Sequence, residues 1–241
     1  MELDVDLCAA AARNNALWCD AMARAHGAPG AFAVQAWINT HPAPRFYPNL
    51  VTRGGPTDSD AHRAAIGELV AAPPAPGWTV KDSFAALDLA PLGLRPLFEA
   101  SWIHWPARTI DQRHSAHRVS GEEELAAWER AWAGASAADA EARLFRAALL
   151  NEHDHAIMAL TRRGAVVAGC IASRSDNAVG MSNVFALAED DGRDRIACLA
   201  AVLRFAPGLP LVGYERGEDL ARMKAVGFEE IGPLRIWQAA S

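Results

Sequence analysis

The chain has 241 residues, of which 51% are hydrophobic and 22% are charged, a balance that is typical of a globular protein and excludes a disordered one. Its 23 Lys and Arg residues and 29 Asp and Glu residues give a formal net charge of −6. No overall basic charge therefore attracts the chain to nucleic acid or to an anionic membrane, and we expect neither as a partner. The length permits one large domain or two small ones.

The cysteines and the N-terminal residues predict a soluble, cytoplasmic protein. Cys8, Cys19, Cys170 and Cys198 lie in apolar stretches and form no C-x-x-C pair, whereas a disulfide framework would need more closely spaced cysteines. The N-terminal residues are acidic and lack the positive segment of a signal peptide. No apolar run reaches the ~18 residues that are needed to span a bilayer.

In the first half, helical periodicity precedes short apolar segments that Pro and Gly interrupt. The elements that the pattern predicts, in chain order, are a helix over 7–25, a strand over 31–38, an irregular segment over 42–56, a stiff connector over 71–77, a short helix over 80–93 and a strand over 97–102. Residues 106–118 are polar and rich in Arg and His, and they are interpreted as a linker between the two halves.

The second half has a more regular pattern. Ser120 and Glu123 have the spacing of a capping box and predict the start of a helix. The elements that follow are a helix over 137–150, strands over 155–161, 165–174 and 179–187, a helix over 192–206, a strand over 209–214, a helix over 218–226 and a strand over 228–237. Turn residues between the three consecutive strands predict an antiparallel meander. The chain is therefore predicted to be an α/β (α+β) protein.

This order of elements over about residues 117–241 resembles the GNAT N-acetyltransferase superfamily. That fold has two N-terminal helices, an antiparallel meander, a cofactor-binding helix, a diverging strand, a further helix and a closing strand. The superfamily characteristically places a Gly-Phe pair between its last helix and its last strand, and Gly227-Phe228 stands there. A left-handed Gly227 would end the helix, and Phe228 would begin the strand. The resemblance implies a mixed, mostly antiparallel sheet flanked by helices.

An internal similarity predicts a duplicated, tandem GNAT-like architecture. Residues 80–93 followed by 97–102 have the same plan as residues 214–227 followed by 231–237, a short helix that ends in Gly and leads to an apolar strand. We therefore predict a degenerate GNAT-like N-terminal lobe with a linker over 1–115 and a GNAT-like domain over 116–241. The alternative is that two unrelated helix–Gly–strand units coincide.

The resemblance implies that an acyl-CoA, such as acetyl-CoA, is the cofactor. A GNAT enzyme binds it between two splayed central strands, and the loop after the first of them holds the diphosphate at a helix N-terminus. On this chain the implied pantetheine contacts are the main-chain groups of Phe185 and Leu187. The implied diphosphate contacts are Gly192, Arg193 and Arg195.

Two positions depart from the family pattern. In the best register of the diphosphate loop, Cys198 stands where the first Gly is expected, and the acidic residues near Asp194 would repel a diphosphate. The alternative interpretation of these acids is that they favour the dipole at a helix start. Met223 stands where many members carry a proton-donating Tyr, and a thioether cannot donate a proton.

For the chemistry itself, Glu215 is the candidate general base, because a carboxylate at a strand end near the expected cleft can take a proton from an amine. Tyr214 precedes it and is the candidate proton donor if the geometry permits. The alternative for Glu215 is a surface carboxylate that pairs with Arg216 or Arg222.

Other classes of function have weaker support in the sequence. His153 and His155 would place two rings on one face of a strand, as a metal site requires, with His114 and His117 as further candidate ligands. Histidines in a loop before a strand are the simpler explanation, so we predict no metal. No G-x-S-x-G, G-x-G-x-x-G or Walker A motif occurs.

The sequence therefore predicts a GNAT-like acyl-CoA-dependent N-acyltransferase for an unidentified small-molecule or peptide amine. The alternative that stays open is a catalytically inactive, GNAT-derived ligand-binding or assembly protein, which Cys198 and Met223 favour.

Overall fold

A computed structural model of the chain describes residues 4–106, 110, 116–134, 143–187 and 192–240. Its helices are α1 (Val5–Ala25), α2 (Ser59–Ala71), α3 (Glu122–Ala133), α4 (Arg193–Phe205) and α5 (Gly217–Ala225). Its strands are β1 (Ala31–Phe32), β2 (Ala36–Ile38), β3 (Leu50–Thr52), β4 (Thr79–Asp82), β5 (Leu94–Trp105), β6 (His117–Arg118), β7 (His155–Arg162), β8 (Ala165–Arg174), β9 (Val179–Ala186), β10 (Leu211–Glu215) and β11 (Glu229–Ala239). None of the helices in these described ranges is long and apolar enough to cross a membrane.

The chain divides into two compact units that are each built from more than one segment. The first unit contains the residues up to Ile103, residues 214–217 and the residues from Glu230 onward, and the second contains 104–213 and 218–229. Strands β5, β10 and β11 each begin in one unit and end in the other. The predicted fold class, a mixed and mostly antiparallel sheet flanked by helices, is confirmed.

In the first unit the strand order is β1-β2-β3-β4-β11-β5. Strands β3 and β4 run parallel and are connected through α2, whereas β11 is antiparallel to β4. Adjacent residues of β3 face opposite sides of the sheet, as strand geometry requires. Leu50 belongs to the core that includes Ile66 and Leu69 of α2, and Val51 belongs to the core that includes Ala16 of α1. Helices α1 and α2 therefore cover opposite faces.

In the second unit the strand order is β10-β9-β8-β7-β6, and β7, β8 and β9 form the antiparallel meander that the sequence predicted. Helices α3 and α4 cover opposite faces of β8. Trp128 of α3 packs over Gly169, and the Trp128 indole N–H donates to the carbonyl of Met158 at 2.8 Å. The next residue, Cys170, lies beside Cys198 of α4, and burial together with this second thiol raises the pKa of the Cys170 thiol.

The end of α5 is fixed by the glycine that the sequence indicated. Gly227 has a φ of +109°, which few residues other than glycine tolerate. The amide of Gly227 donates to the carbonyl of Lys224 at 2.9 Å, and the amide of Phe228 donates to the carbonyl of Met223 at 3.1 Å. These two bonds form a Schellman motif, which ends the helix and directs the chain into β11.

The same motif precedes β5. Gly93 has a φ of +81°, and its amide donates to the carbonyl of Ala90 at 3.0 Å. The amide of Leu94 donates to the carbonyl of Leu89 at 3.2 Å. Both long strands β5 and β11 therefore begin directly after the same arrangement of hydrogen bonds. The duplication of residues 1–115 stays a prediction, and this repetition is consistent with it.

The first half differs from the expectation at two segments. Residues 31–38 form a tight hairpin of β1 and β2 instead of one strand, with Ala31 opposite Ile38. The same alternation of apolar residues suits one strand or two short ones, so the pattern cannot separate them. The irregular segment over 42–56 contains β3, which is too short to be recognised among the surrounding prolines.

The short helix predicted over 80–93 is wrong. Residues 79–82 are strand β4, and only Ala90–Leu92 form a 3-10 turn. The carboxylate of Asp82 accepts hydrogen bonds from the amides of Phe84 at 3.3 Å and Leu87 at 2.9 Å. A side chain that binds nearby backbone N–H groups in this way competes with helix formation.

Two details of the second half are also corrected. Helix α3 begins after Gly121 with no side-chain cap, so the Ser120–Glu123 capping box is wrong, and the Ser120 amide instead donates to Glu124 at 3.3 Å. The helix predicted over 137–150 is not present in its described part, where Ala147–Asn151 form a 3-10 helix. The first residues of that prediction, up to 142, lie outside the described ranges, as do most residues of the predicted linker.

We predict that Gly169→Ala lowers the free energy of unfolding by about 1–3 kcal/mol, because an added Cβ overlaps the Trp128 indole and the Met158 carbonyl. Gly67→Ala is the matched control. No atom lies near a Cβ added at Gly67, which is inside α2, so alanine is expected to stabilise the protein by about 0.5–1 kcal/mol. Urea denaturation measures both, and equal effects of the two substitutions would contradict the packing described for Gly169.

Candidate functional site

Strands β9 and β10 of the second unit form a short parallel pair. Their register joins Leu211 with Val179 and Val212 with Gly180, and no further pair follows in the described part of these strands. Strand β9 continues for six more residues to Ala186, where its ladder runs with β8 alone. The two strands therefore pair at their beginnings and separate toward their carboxyl ends.

A bulge lies in the separated part of β9. Gly169 of β8 is opposite Phe185, whereas Ile171 is opposite Ser182, so two residues of β9 face one residue of β8. Within the bulge Asn183 has a φ of +52°, in the left-handed region that asparagine tolerates better than most residues. Bulges bend a strand and turn its backbone groups, and they occur often near functional sites.

The hydrogen bonds of β9 decide which backbone groups remain available. The amide of Leu187 donates to the carbonyl of Val167 at 2.9 Å, so the N–H of Leu187 is directed at β8. Because successive residues of an antiparallel strand alternate between the two sides, the backbone groups of Phe185 are also directed at β8. Those of Val184 and Ala186 are then directed away from β8. The Phe185 side chain packs against Trp128, with ring centroids 5.3 Å apart.

Helix α4 begins at a glycine with a defined structural role. Gly192 has a φ of +81° and stands at the N-cap, and a Cβ added to it would overlap the side chain of Val226. Arg193 is exposed and Arg195 is partly exposed in the first turn, where backbone N–H groups lack helical acceptors. Residues 188–191 of the predicted diphosphate loop lie outside the described residues.

Asp194 in the first turn of α4 forms an ion pair with Arg162. Its side chain is 1% exposed, and both carboxylate oxygens accept from Arg162 at the end of β7, one of them at 2.8 Å. A bidentate pair of this kind neutralises the carboxylate and fixes its orientation. The carboxylate also favours the positive end of the helix dipole. Asp194 is therefore a structural residue whose charge is compensated, which agrees with the dipole interpretation of this acid.

Cys198 and Met223, the two residues that depart from the family pattern, are both buried in the core. Cys198 lies in the middle of α4 and is fully buried, so the loop register that placed it at the diphosphate is wrong. Gly192 is the glycine that starts the helix. Met223 is buried on α5, and its side chain fills a core position.

Tyr214 and Glu215, the candidate catalytic residues, are the last two residues of β10 and are both partly buried. The ring of Tyr214 has the Lys81 ammonium 4.0 Å from its centroid and the Trp102 ring edge-on at 5.5 Å. These contacts hold the ring in place. Sequence reasoning missed the contacts of Lys81 and Trp102 with the Tyr214 ring. The signal that could have indicated Lys81 is its position in an apolar segment of a chain that has two lysines.

The neighbours proposed for Glu215 have other contacts. Arg222 binds Glu218 at 3.0 Å and Asp219 at 2.9 Å, and the Arg216 guanidinium lies over the ring of Phe98. The two pairs of Arg222 have the i,i+4 and i,i+3 spacing of the predicted helix over 218–226 and could have been read from the sequence. The contact of Arg216 with Phe98 of β5 could not, because it depends on the tertiary structure.

The histidines do not form a metal centre in the part of the chain that the structure describes, where no group of three His, Cys, Asp or Glu residues is arranged to hold an ion. His155 is buried on β7, and the His117 ring is 2.5 Å from the Glu124 carboxylate. His114 lies outside the described residues.

Comparisons with known proteins identify the fold. No family model and no curated protein matches the chain. Among solved structures, the chain is similar to a GCN5-related N-acetyltransferase from Kribbella flavida, with a TM-score of 0.61 and 14% identity over 96% of each chain. It is also similar to a protein assigned to the GNAT family from Novosphingobium aromaticivorans, with a TM-score of 0.56 and 12% identity over 93% of this chain and 96% of that one.

A third similar structure is a tandem GNAT protein from the clavulanic acid biosynthesis pathway, with a TM-score of 0.50 and 16% identity over 99% of this chain and 96% of that one. The chain therefore has the GNAT fold, as the resemblance implied. At these identities the comparisons concern the fold and not the reaction.

We predict that Asp194→Asn lowers the free energy of unfolding by about 1–3 kcal/mol, because it removes a charge-assisted bond at a buried position. Asp154→Asn is the control, since Asp154 and its partner Arg174 are both well exposed, and it should leave stability nearly unchanged. Thermal unfolding at neutral pH compares the two. An Asp194→Asn protein as stable as the control would show that the pair does not hold α4.

Proposed function

We propose that the protein is an acyl-CoA-dependent N-acyltransferase of the GNAT type that acts on an unidentified small-molecule or peptide amine. The observation that carries this proposal is the β9–β10 pair, which ends after Gly180 and Val212 and is connected through a helix that starts at Gly192. In the GNAT fold, a separated parallel pair followed by a free helix N-terminus is the arrangement that receives an extended thiol arm and a diphosphate.

The residues of β9 and α4 fit such a cofactor. The sequence assigned pantetheine to the main-chain groups of Phe185 and Leu187, and the alternation in β9 supports their neighbours Val184 and Ala186 as the groups directed away from β8. Gly192, Arg193 and Arg195 remain the proposed diphosphate contacts. The pairing of Asp194 with Arg162 removes the repulsion that an unpaired acid would cause there.

The proposed chemistry places two side chains at the end of β10. Acetyl-CoA or another acyl-CoA would supply an activated thioester. Glu215 would take a proton from the acceptor amine, which forms the new C–N bond, and Tyr214 would return a proton to the sulfur as the C–S bond breaks. Both follow the last β9–β10 pair by only two or three residues along the chain. Positioning of the two reactants would supply much of the rate enhancement.

A catalytically inactive, GNAT-derived ligand-binding protein is the second candidate. The buried Met223 favours it, because no tyrosine stands at the usual donor position. The contacts of the Tyr214 ring with Lys81 and Trp102 favour it as well, since a ring packed on two sides can serve structure alone.

We also propose that the chain is a tandem GNAT protein, with a degenerate lobe over 1–115 and a GNAT-like domain over 116–241. Two observations support it. A parallel strand–helix–strand unit occurs in each half, as β3–α2–β4 and as β9–α4–β10, and each is followed by a Schellman motif before a long strand. Localisation in the cytoplasm remains a prediction from the sequence.

We predict that CoA and acetyl-CoA stabilise the protein against heat, by about 2.7 kcal/mol at a concentration near 100 Kd. Arg195→Gln should weaken this effect because it removes a charge at the proposed diphosphate site. Arg130→Gln removes an exposed arginine of α3 in the same unit and should leave it intact. No thermal shift at millimolar cofactor would reject the transferase proposal. A shift without turnover across an amine panel would favour the binding protein.

We predict that Glu215→Gln lowers turnover by about 10²- to 10⁴-fold while acetyl-CoA still binds, because the amide cannot accept the amine proton. Glu218→Gln is the control, since Glu218 is an exposed carboxylate paired with Arg222. Release of free thiol from acetyl-CoA in the presence of the amine panel measures both variants. Equal turnover of Glu215→Gln and the wild type would exclude Glu215 as the base.

A further inference from the structure

The side of β3 and β4 that faces α1, in the first unit, carries several cationic side chains. Val51 packs in the core that includes α1, and strand alternation places Arg53, two residues later, toward the same side. Lys81 of β4 is directly opposite Val51 in the parallel register, and its ammonium reaches Asn15 of α1. Arg13 lies on α1 three residues before Ala16, and residues three apart share a helix face, so Arg13 is on the face of α1 that packs against Val51.

The two arginines have unused hydrogen-bond donors. Arg53 donates through Nη1 to the carbonyl of Ala33 at 3.0 Å, but its Nε is buried and has no acceptor. Arg13 is half-buried and has no hydrogen bond or ion pair with any residue in the described ranges. Burial and the nearby positive charge of Arg13 lower the pKa of Arg53. Two guanidinium groups therefore lie close enough to repel each other.

Lys81 adds a third positive charge on the same side of the sheet. Its side chain is buried, its Nζ donates to Asn15 Oδ1 at 2.7 Å, and its ammonium lies 4.0 Å from the centroid of the Tyr214 ring. Among the described residues, no Asp or Glu lies within ion-pair distance of Lys81. The acid nearest to it along α1, Asp20, is already bound by Arg24, by the indole N–H of Trp37 at 2.9 Å and by the amide of Gly30 at 3.1 Å.

Such a group of cations is unfavourable in the folded protein by itself. Buried charges are normally paired, and like charges at short range destabilise the structure that holds them. We infer that Arg13 and Arg53, supported by Lys81, form a binding site for a small oxyanion ligand that carries a carboxylate or a phosphate group. The site is in the first unit, so this inference does not rest on the proposed acyl transfer.

The position and the chemistry of the arginines suit this ligand class. Arg53 directly follows β3, and ligands of open α/β sheets bind beyond the carboxyl ends of parallel strands. Guanidinium groups match the planar spacing of carboxylate and phosphate oxygens and bind them through two parallel hydrogen bonds. Arg13 and Arg53 are half-exposed and can contact a ligand from solvent, whereas the buried Lys81 contributes through its charge.

The test is thermal unfolding and isothermal titration of the full chain with inorganic phosphate, pyrophosphate and citrate, compared with chloride at equal ionic strength. The wild type should be stabilised by at least one of these anions. Comparison of phosphate with citrate shows whether the site prefers a phosphate group or a carboxylate group. Arg13→Gln and Arg53→Gln should each weaken binding by about 10- to 100-fold. Without an anion, Arg13→Gln should melt at a higher temperature than the wild type at low salt, because it removes the repulsion.

Two variants keep the result unambiguous. Arg63→Gln removes one exposed arginine of α2 in the same unit and should bind anions as the wild type does. Arg195→Gln removes a proposed diphosphate contact of the second unit, so it should weaken only the pyrophosphate binding that this unit contributes and keep the binding that depends on Arg13 and Arg53. The inference is overturned if the wild type shows no anion-specific stabilisation, if Arg13→Gln binds as tightly as the wild type, or if Arg195→Gln alone abolishes binding.

Discussion

The short parallel pairing of β9 with β10 is the constraint on which the second unit depends. Two pairs, Leu211 with Val179 and Val212 with Gly180, are enough to fix the direction of β10 after the chain has crossed through α4. Because the pairing ends there, the described residues of β9 beyond Gly180 have a partner strand, β8, on one edge only. Unpaired backbone groups next to a helix start are costly in water-excluded surroundings unless a ligand or solvent satisfies them. The local geometry therefore suits an extended polar ligand.

The sequence predicted the second half well because its elements are long enough for their periodicity to be read. Strands β7, β8 and β9 and helices α4 and α5 lie close to their predicted bounds, and Gly227 has the positive φ that was expected. Strands β1 to β4 of the first half have only two to four residues each, and alternation carries little information in them. At residues 80–93 the apolar spacing suggested a helix, but the Asp82 carboxylate and the pairing of β4 decided the structure.

The candidate site was predicted in part, because the start of α4 and the end of β10 followed from the order of the predicted elements. What the sequence could not provide was the set of tertiary partners. The acid at position 194 resembles a repulsive charge until Arg162, 32 residues away, is seen to bind it. Cys198 was assigned to a loop, and the packing of α4 on β8 puts it in the core. The side of a strand that Lys81 faces depends on register, which a single sequence does not contain.

One contact of the second unit links two of its helices. The space that a Cβ would need at Gly192, where α4 begins, is filled by Val226, which lies between the end of α5 and Gly227. The start of one helix and the end of another thus share a single small volume. Thermodynamic linkage is reciprocal, so if a ligand at the start of α4 changes the affinity of a second ligand at Val226 by some factor, the second ligand changes the affinity of the first by the same factor.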